Sequence, residues 1–231
     1  MAQEAATFAE KNGLHFNDVR LLTQAFIHRS YINENAGLKL SHNERLEFLG
    51  DAVLELVVTD FLYKKYPQKT EGDLTSYRAA LVNALTIGDI AEKLHMNDYL
   101  LLSRGESRDT GKARLSILAN TYEAVVGAIY LDQGYEASRE FIDRTMLVHT
   151  EAIVKEGLFR DAKSLVQEKA QEHINITPMY RVMQEVGPDH DKIFTVGIFF
   201  GDTMVAQGKG KSKQEAEQKA AREALEKEGW A

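Results

Sequence analysis

The chain has 231 residues, 44% hydrophobic and 27% charged, with a formal net charge of −7. That length suits one large or two ordinary soluble domains. It holds no cysteine, which excludes disulfides and thiolate metal sites. The start, MAQEAATFAEKNG, lacks a basic stretch followed by an apolar run, and no apolar stretch is long enough to span a bilayer. A cytoplasmic protein with no membrane partner is the expectation. The net negative charge argues weakly against a nucleic-acid partner. Its distribution matters more: the acid excess sits in the first part, and the lysines of the last part cluster locally.

Residues 4–11 and 18–27 read as short helices. The second presents Val19, Leu22, Ala25 and Phe26, and His28 to Tyr31 closes it. Residues 33–42 are polar, contain Gly37 and read as a loop. A long helix follows from Glu44 to Pro67, with Ser41 and Glu44 at capping-box spacing. At about 100° per residue, Glu44, Glu47 and Asp51 share a narrow sector of this helix. Leu46, Leu49, Val53, Leu56 and Val57 fall on the opposite face, toward a core. Carboxylates that repel one another on one face point to a hard cation between them, against the common alternative of a solvated acidic face. Phe48 lies on the acidic side, where the helix's own core cannot bury it, so a partner chain is expected to cover it.

Thr70 and Asp73 open the next helix at capping-box spacing, with Leu74, Tyr77, Leu81 and Leu85 as its buried face. A helix is expected near 84–95, a loop over 103–113, a helix from Leu115 to Leu131 and another over 134–156. Asn120, Glu123 and Gly127 share one face of the Leu115–Leu131 helix. Gly50 flanks the first acidic face and Gly127 lies on the second, so the two helices can approach closely there. No strand pattern appears before residue 157, and residues 1–156 read as an all-helical domain.

Residues 157–160 read as a linker, and the pattern then changes. A helix over 162–174, with Asp161 as N-cap, precedes alternating runs at 179–186, 193–200 and 203–207. A last, alanine-rich helix over 212–228 carries a Ser212–Glu215 capping box. Residues 161–231 thus read as an α+β domain of order α-β-β-β-α. A helix N-terminus with Lys209, Lys211 and Lys213 beside it suits phosphate. Gln167 and His190 have side chains suited to 2′-hydroxyls in a shallow minor groove.

The segment Asn43 to Leu54, NERLEFLGDAVL, resembles the signature of the ribonuclease III family, and the likeness runs from about residue 14 to residue 229. The second domain resembles a double-stranded RNA-binding domain through Leu165–Glu168, Gly187–His190 and Gly208–Lys213. The resemblance implies metal ligands at Glu47, Asp51, Asn120 and Glu123, with Asp51 and Glu123 catalytic and Glu44 and Glu71 in support. The family pattern prefers Asp where Asn120 stands. The resemblance also implies a homodimer with Mg²⁺, replaceable by Mn²⁺, and no organic cofactor. The implied activity is endonucleolytic cleavage of double-stranded RNA to 5′-phosphate and 3′-hydroxyl ends with short 3′ overhangs. The implied substrates are precursors of ribosomal and other structured RNAs. Asn120 is the one feature that supports an alternative, an impaired nuclease fold that only binds duplex RNA.

Overall fold

The computed structural model describes residues 1–35, 37–155, 162–188 and 192–230. The chain divides into two compact units, Met1–Phe159 and Arg160–Ala231. The linker expected at 157–160, the N-cap expected at Asp161 and the candidate His190 lie outside the described residues.

The first unit is helical: α1 (Ala2–Lys11), α2 (Val19–Ala25), α3 (Arg29–Glu34), α4 (Glu44–Lys65), α5 (Glu71–Leu81), α6 (Ala84–Lys93), α7 (Lys112–Gln133), α8 (Tyr135–Thr145) and α9 (Thr150–Lys155). Its centre is α7, which packs against α2, α4, α6 and α8. Leu118, Tyr122, Val125, Val126 and Ile129 are all buried, so this helix is apolar on most sides, as a central helix must be.

His28 does not close α2. It caps α3 instead, its Nδ1 accepting from the Ser30 N–H at 3.3 Å. Ser41 and Glu44 do not cap α4. The residue before that helix is Asn43, whose buried amide donates to the Ala25 carbonyl at 3.1 Å and so ties α4 to the end of α2. The Thr70–Asp73 capping box is formed in both directions. Leu85 belongs to the first turn of α6 rather than to the buried face of α5, and it is exposed, as is Leu56 on α4.

The single helix expected over 134–156 is broken. α8 ends at Thr145, whose hydroxyl donates to the Phe141 carbonyl and meets the Tyr122 hydroxyl at 2.7 Å. A 3-10 turn, Leu147–His149, then leads to α9. Leu147 and Val154 still pack on the core across the break, so the apolar periodicity runs through it unchanged.

The second unit holds α10 (Ala162–Ile174), an antiparallel sheet β1 (Met179–Val186), β2 (Ile193–Phe200) and β3 (Thr203–Gly210) in that order, and α11 (Lys213–Lys227). Ala162 and Val166 of α10 and Ala220, Ala221 and Ala224 of α11 share a core with Ile198 and Ala206. Both helices therefore cover one face of the sheet. β3 runs three residues further than its alternation predicts. A β-carbon at Gly208 would lie 2.3 Å from the Ala216 carbonyl oxygen and one at Gly210 2.7 Å from the Ala216 nitrogen. These glycines let the strand lie directly against α11, although glycines in sequence read as a loop.

Candidate active site and RNA-binding face

Helices α4 and α7 cross in backbone contact. A β-carbon at Gly127 would lie 2.2 Å from the Leu46 carbonyl oxygen, and one at Gly50 would clash with the backbone of Glu123. Only glycine at both positions permits this approach. The crossing brings Glu47 and Asp51, one turn apart on α4, to the side of α7 that carries Glu123.

The electrostatics follow from this proximity. Burial first, then the negative charges of Asp51 and Glu47, push the Glu123 carboxyl up to about 7. Burial, then Glu44 and Asp51, raises Glu47 as well. Neither group is pulled back down by a lysine or arginine. Partly buried carboxylates left without a compensating cation are an unfavourable arrangement that an added cation relieves.

Asn120 is exposed one turn before Glu123. Among the described residues its side-chain amide donates to neither Asp51 nor Glu123. Also among the described residues, no three carboxylate or histidine side chains are gathered into a ready-formed metal cage. The donor set consists of three carboxylates and one amide oxygen, all oxygen ligands, and fits a hard divalent cation.

The two supporting acids have different settings. Glu44 pairs with Arg29 at 3.4 Å, and the His42 Nδ1 stands 3.7 Å from it, an ion-pair distance too long for a hydrogen bond. Glu71 sits in the first turn of α5, where its carboxylate accepts from the Thr75 hydroxyl at 3.0 Å. It lines a pocket with Thr59, Tyr63 and Arg78 rather than joining the α4–α7 crossing. Arg29, the partner of Glu44, was not legible as a site residue, because its contact joins two helices separated by a loop. Phe48 is 82% exposed.

In the second unit, Gln167 is exposed on α10. Lys211 and Lys213 stand at the start of α11, where the Ser212 hydroxyl accepts from the Glu215 N–H at 3.1 Å. Glu215 accepts from the Lys211 N–H at 2.8 Å, not from that of Ser212, so the expected box is only half formed. Lys213 is held 3.2 Å from Glu185, with its ammonium over the Phe194 ring. Lys209 separates from the other two. It alternates with Gly208 and Gly210, which face α11, so its side chain emerges on the opposite face of the sheet.

Comparisons with known proteins agree with this architecture. Residues 18–150 match the Ribonuclease-III-like family model, and residues 162–228 match the Double-stranded RNA binding motif. The chain is 44% identical over 222 residues to a Ribonuclease 3 of Borreliella burgdorferi, covering 96% of this chain and 90% of that protein. It is 46% identical over 215 residues to a Ribonuclease 3 of Leptospira interrogans, covering 93% and 87%. The crystal structure of the nuclease domain of ribonuclease III from Campylobacter jejuni is 39% identical with a TM-score of 0.55, covering 63% of this chain and 94% of that one. A helical nuclease unit followed by a duplex-binding α-β-β-β-α unit, with relatives matched over nearly their full length, places the chain in the ribonuclease III family as an endoribonuclease.

Proposed function

We propose that the protein is a Mg²⁺-dependent homodimeric endonuclease of double-stranded RNA, and that Mn²⁺ substitutes for Mg²⁺. Its cuts leave 5′-phosphate and 3′-hydroxyl ends with short 3′ overhangs, and precursors of ribosomal and other structured RNAs are its substrates. One observation carries this reading: Glu47, Asp51 and Glu123 converge at a glycine-mediated helix crossing with no cationic side chain to offset them.

When bound, divalent ions neutralise phosphate charge and supply an activated water. The chain's own part is to hold the ligands in place. Glu47, Asp51 and Glu123 provide the charge, and the Asn120 carbonyl oxygen provides a neutral fourth donor. Asp51 and Glu123, from opposite helices, are the catalytic pair. The contact of Gly50 and Gly127 with the facing backbones fixes the separation of the two helices. Glu44 and Glu71 support the site from outside it. Lys211, Lys213 and Gln167 supply contacts to phosphates and 2′-hydroxyls from one side of the second unit, reading A-form shape rather than sequence.

The dimer rests on α4. Phe48, Leu56 and Tyr63 are exposed along it, eight and seven residues apart, about two turns each. A two-fold axis passing near Leu56 sets Phe48 of one copy beside Tyr63 of the other. Tyr63 borders a pocket of about 380 Å³ floored by Leu62 and Leu74, large enough to receive a phenyl ring.

Incubating the protein with long duplex RNA tests the reading. Cleavage that needs Mg²⁺ or Mn²⁺ supports it. Duplex binding without cleavage at any metal concentration supports instead an impaired nuclease that only binds, the reading that Asn120 would favour.

A further inference from the structure

The face of the β1–β3 sheet turned away from α10 and α11 has no covering layer within its unit. Register defines this face. Arg181, Gly197 and Gln207 are paired across the three strands. A β-carbon at Gly197 would point to the Phe199 ring at 3.0 Å, the Met204 sulfur at 3.2 Å and Met183 at 3.4 Å. Met179, paired with Phe199, lies on the same face. Met179, Met183 and Met204 are 44%, 52% and 47% exposed. Three of the chain's six methionines therefore stand in solvent on one sheet surface, where an isolated packing unit would place polar side chains.

The charges on this face have one sign. Arg181 lies over the Phe199 ring at 4.8 Å, and Lys209 emerges beside Thr195. Among the described residues neither forms an ion pair, and no carboxylate stands on the face. Flexible thioethers form adaptable apolar surfaces, and unpaired cations at the rim select carboxylates.

We propose that this sheet face docks an apolar protein segment bearing carboxylates along its flank. Self-association is disfavoured, because pairing two copies would oppose Arg181 and Lys209 of one to the same cations of the other. Single-stranded nucleic acid is disfavoured as well. Phe199, the aromatic ring among the side chains named on this face, is only 8% exposed and already covered by the Arg181 guanidinium, so it offers no free stacking platform. The duplex-facing features of α10 and α11 lie across the sheet, so the segment and the RNA do not compete. The inference does not depend on the nuclease reading.

The methionine methyl groups give a direct test in the full-length protein. With ¹³C-labelled methionine methyls, Met179, Met183 and Met204 report on the face, while buried Met96 and Met146 serve as controls. The probe is a synthetic amphipathic peptide with leucines on one face and glutamates beside them. A lysine version of the peptide and a uridine oligonucleotide are run alongside. The glutamate peptide is expected to shift the three face signals saturably and leave Met96 and Met146 unmoved. The lysine peptide should bind about tenfold more weakly or worse. Arg181→Glu should reduce or invert that preference, and Met204→Glu should abolish the shifts. Both positions are exposed or superficial, and unchanged Met96 and Met146 signals verify that the variants fold. Four outcomes overturn the proposal: no shift at millimolar peptide, equal response to both peptides, shifts with the oligonucleotide alone, or face signals that move with protein concentration because a second copy already covers them.

Discussion

A β-carbon at Gly50 would lie 1.7 Å from the carbonyl oxygen of Glu123. The backbone of α4 thus touches the backbone of the residue whose carboxylate it must face. The same contact that closes the core sets the geometry of the candidate site, so on the proposed reading stability and catalysis share one structural element.

Gly50→Ala should therefore damage both. A methyl group cannot be accommodated by side-chain motion, because the atoms it meets belong to the backbone. Overpacking of this kind costs about 3 kcal/mol or more. Thermal melting should fall accordingly, and cleavage should drop well over tenfold even at temperatures where the variant stays folded. A variant that melts and cuts like the parent would refute the close crossing.

Asn120 supplies an oxygen without a charge. Asn120→Asp adds a fourth carboxylate, so the Mg²⁺ titration of cleavage should move to lower concentration. The parent protein should be active with a raised Mg²⁺ requirement, and Mn²⁺ should rescue it at lower concentration because it binds such ligands more tightly. If the parent is dead with either ion and Asn120→Asp restores cutting, the asparagine blocks the site rather than weakening it.

Phe48 is a large apolar side chain almost fully in solvent. Placing a charge there should not disturb the fold of a single copy but should weaken the dimer. Sedimentation at micromolar concentration should show the parent as a dimer and Phe48→Glu shifted toward monomer. A monomeric parent would remove α4 as an interface.

His28 should make the first unit sensitive to mild acid. Its Nδ1 must stay unprotonated to accept from Ser30. Burial, its largest influence, holds its pKa below the ordinary histidine value, against the pull of Glu106. The unfolded chain takes up that proton near pH 6.5, and the folded chain only at lower pH. The stability conferred is present above about pH 6.5 and is lost as pH falls through the folded value. Denaturant unfolding of the parent should show lower stability at about pH 5.5 than at about pH 7.5. His28→Asn keeps a capping oxygen and should flatten that difference. An unchanged slope in the variant would assign the effect elsewhere.

Much of the geometry of the candidate site was legible in the sequence, because it depends on local spacing. Glu47 and Asp51 are one turn apart, Glu123 follows Asn120 by three residues, and Gly50 and Gly127 mark where two helices can touch. The capping box at Thr70 was legible for the same reason. The features that escaped depend on contacts distant in sequence. Asn43 is drawn to Ala25 instead of capping its own helix. The break after Thr145 keeps the core periodicity intact and so leaves no trace in it. Gly208 and Gly210 read as loop residues until α11 is seen lying against them, and their inward direction turns Lys209 to the far side of the sheet. Charge clustering along the chain could not separate Lys209 from Lys211, since the strand's alternation continues only if those glycines are strand residues.

The central claim is that Asp51 and Glu123 cut while the second unit binds. The most direct measurement pairs duplex-RNA cleavage with duplex-RNA binding for Asp51→Ala and Glu123→Ala in saturating Mg²⁺. Both variants should lose cleavage and hold the duplex with an affinity close to that of the parent protein. Cleavage by either variant at the parent rate would contradict the account.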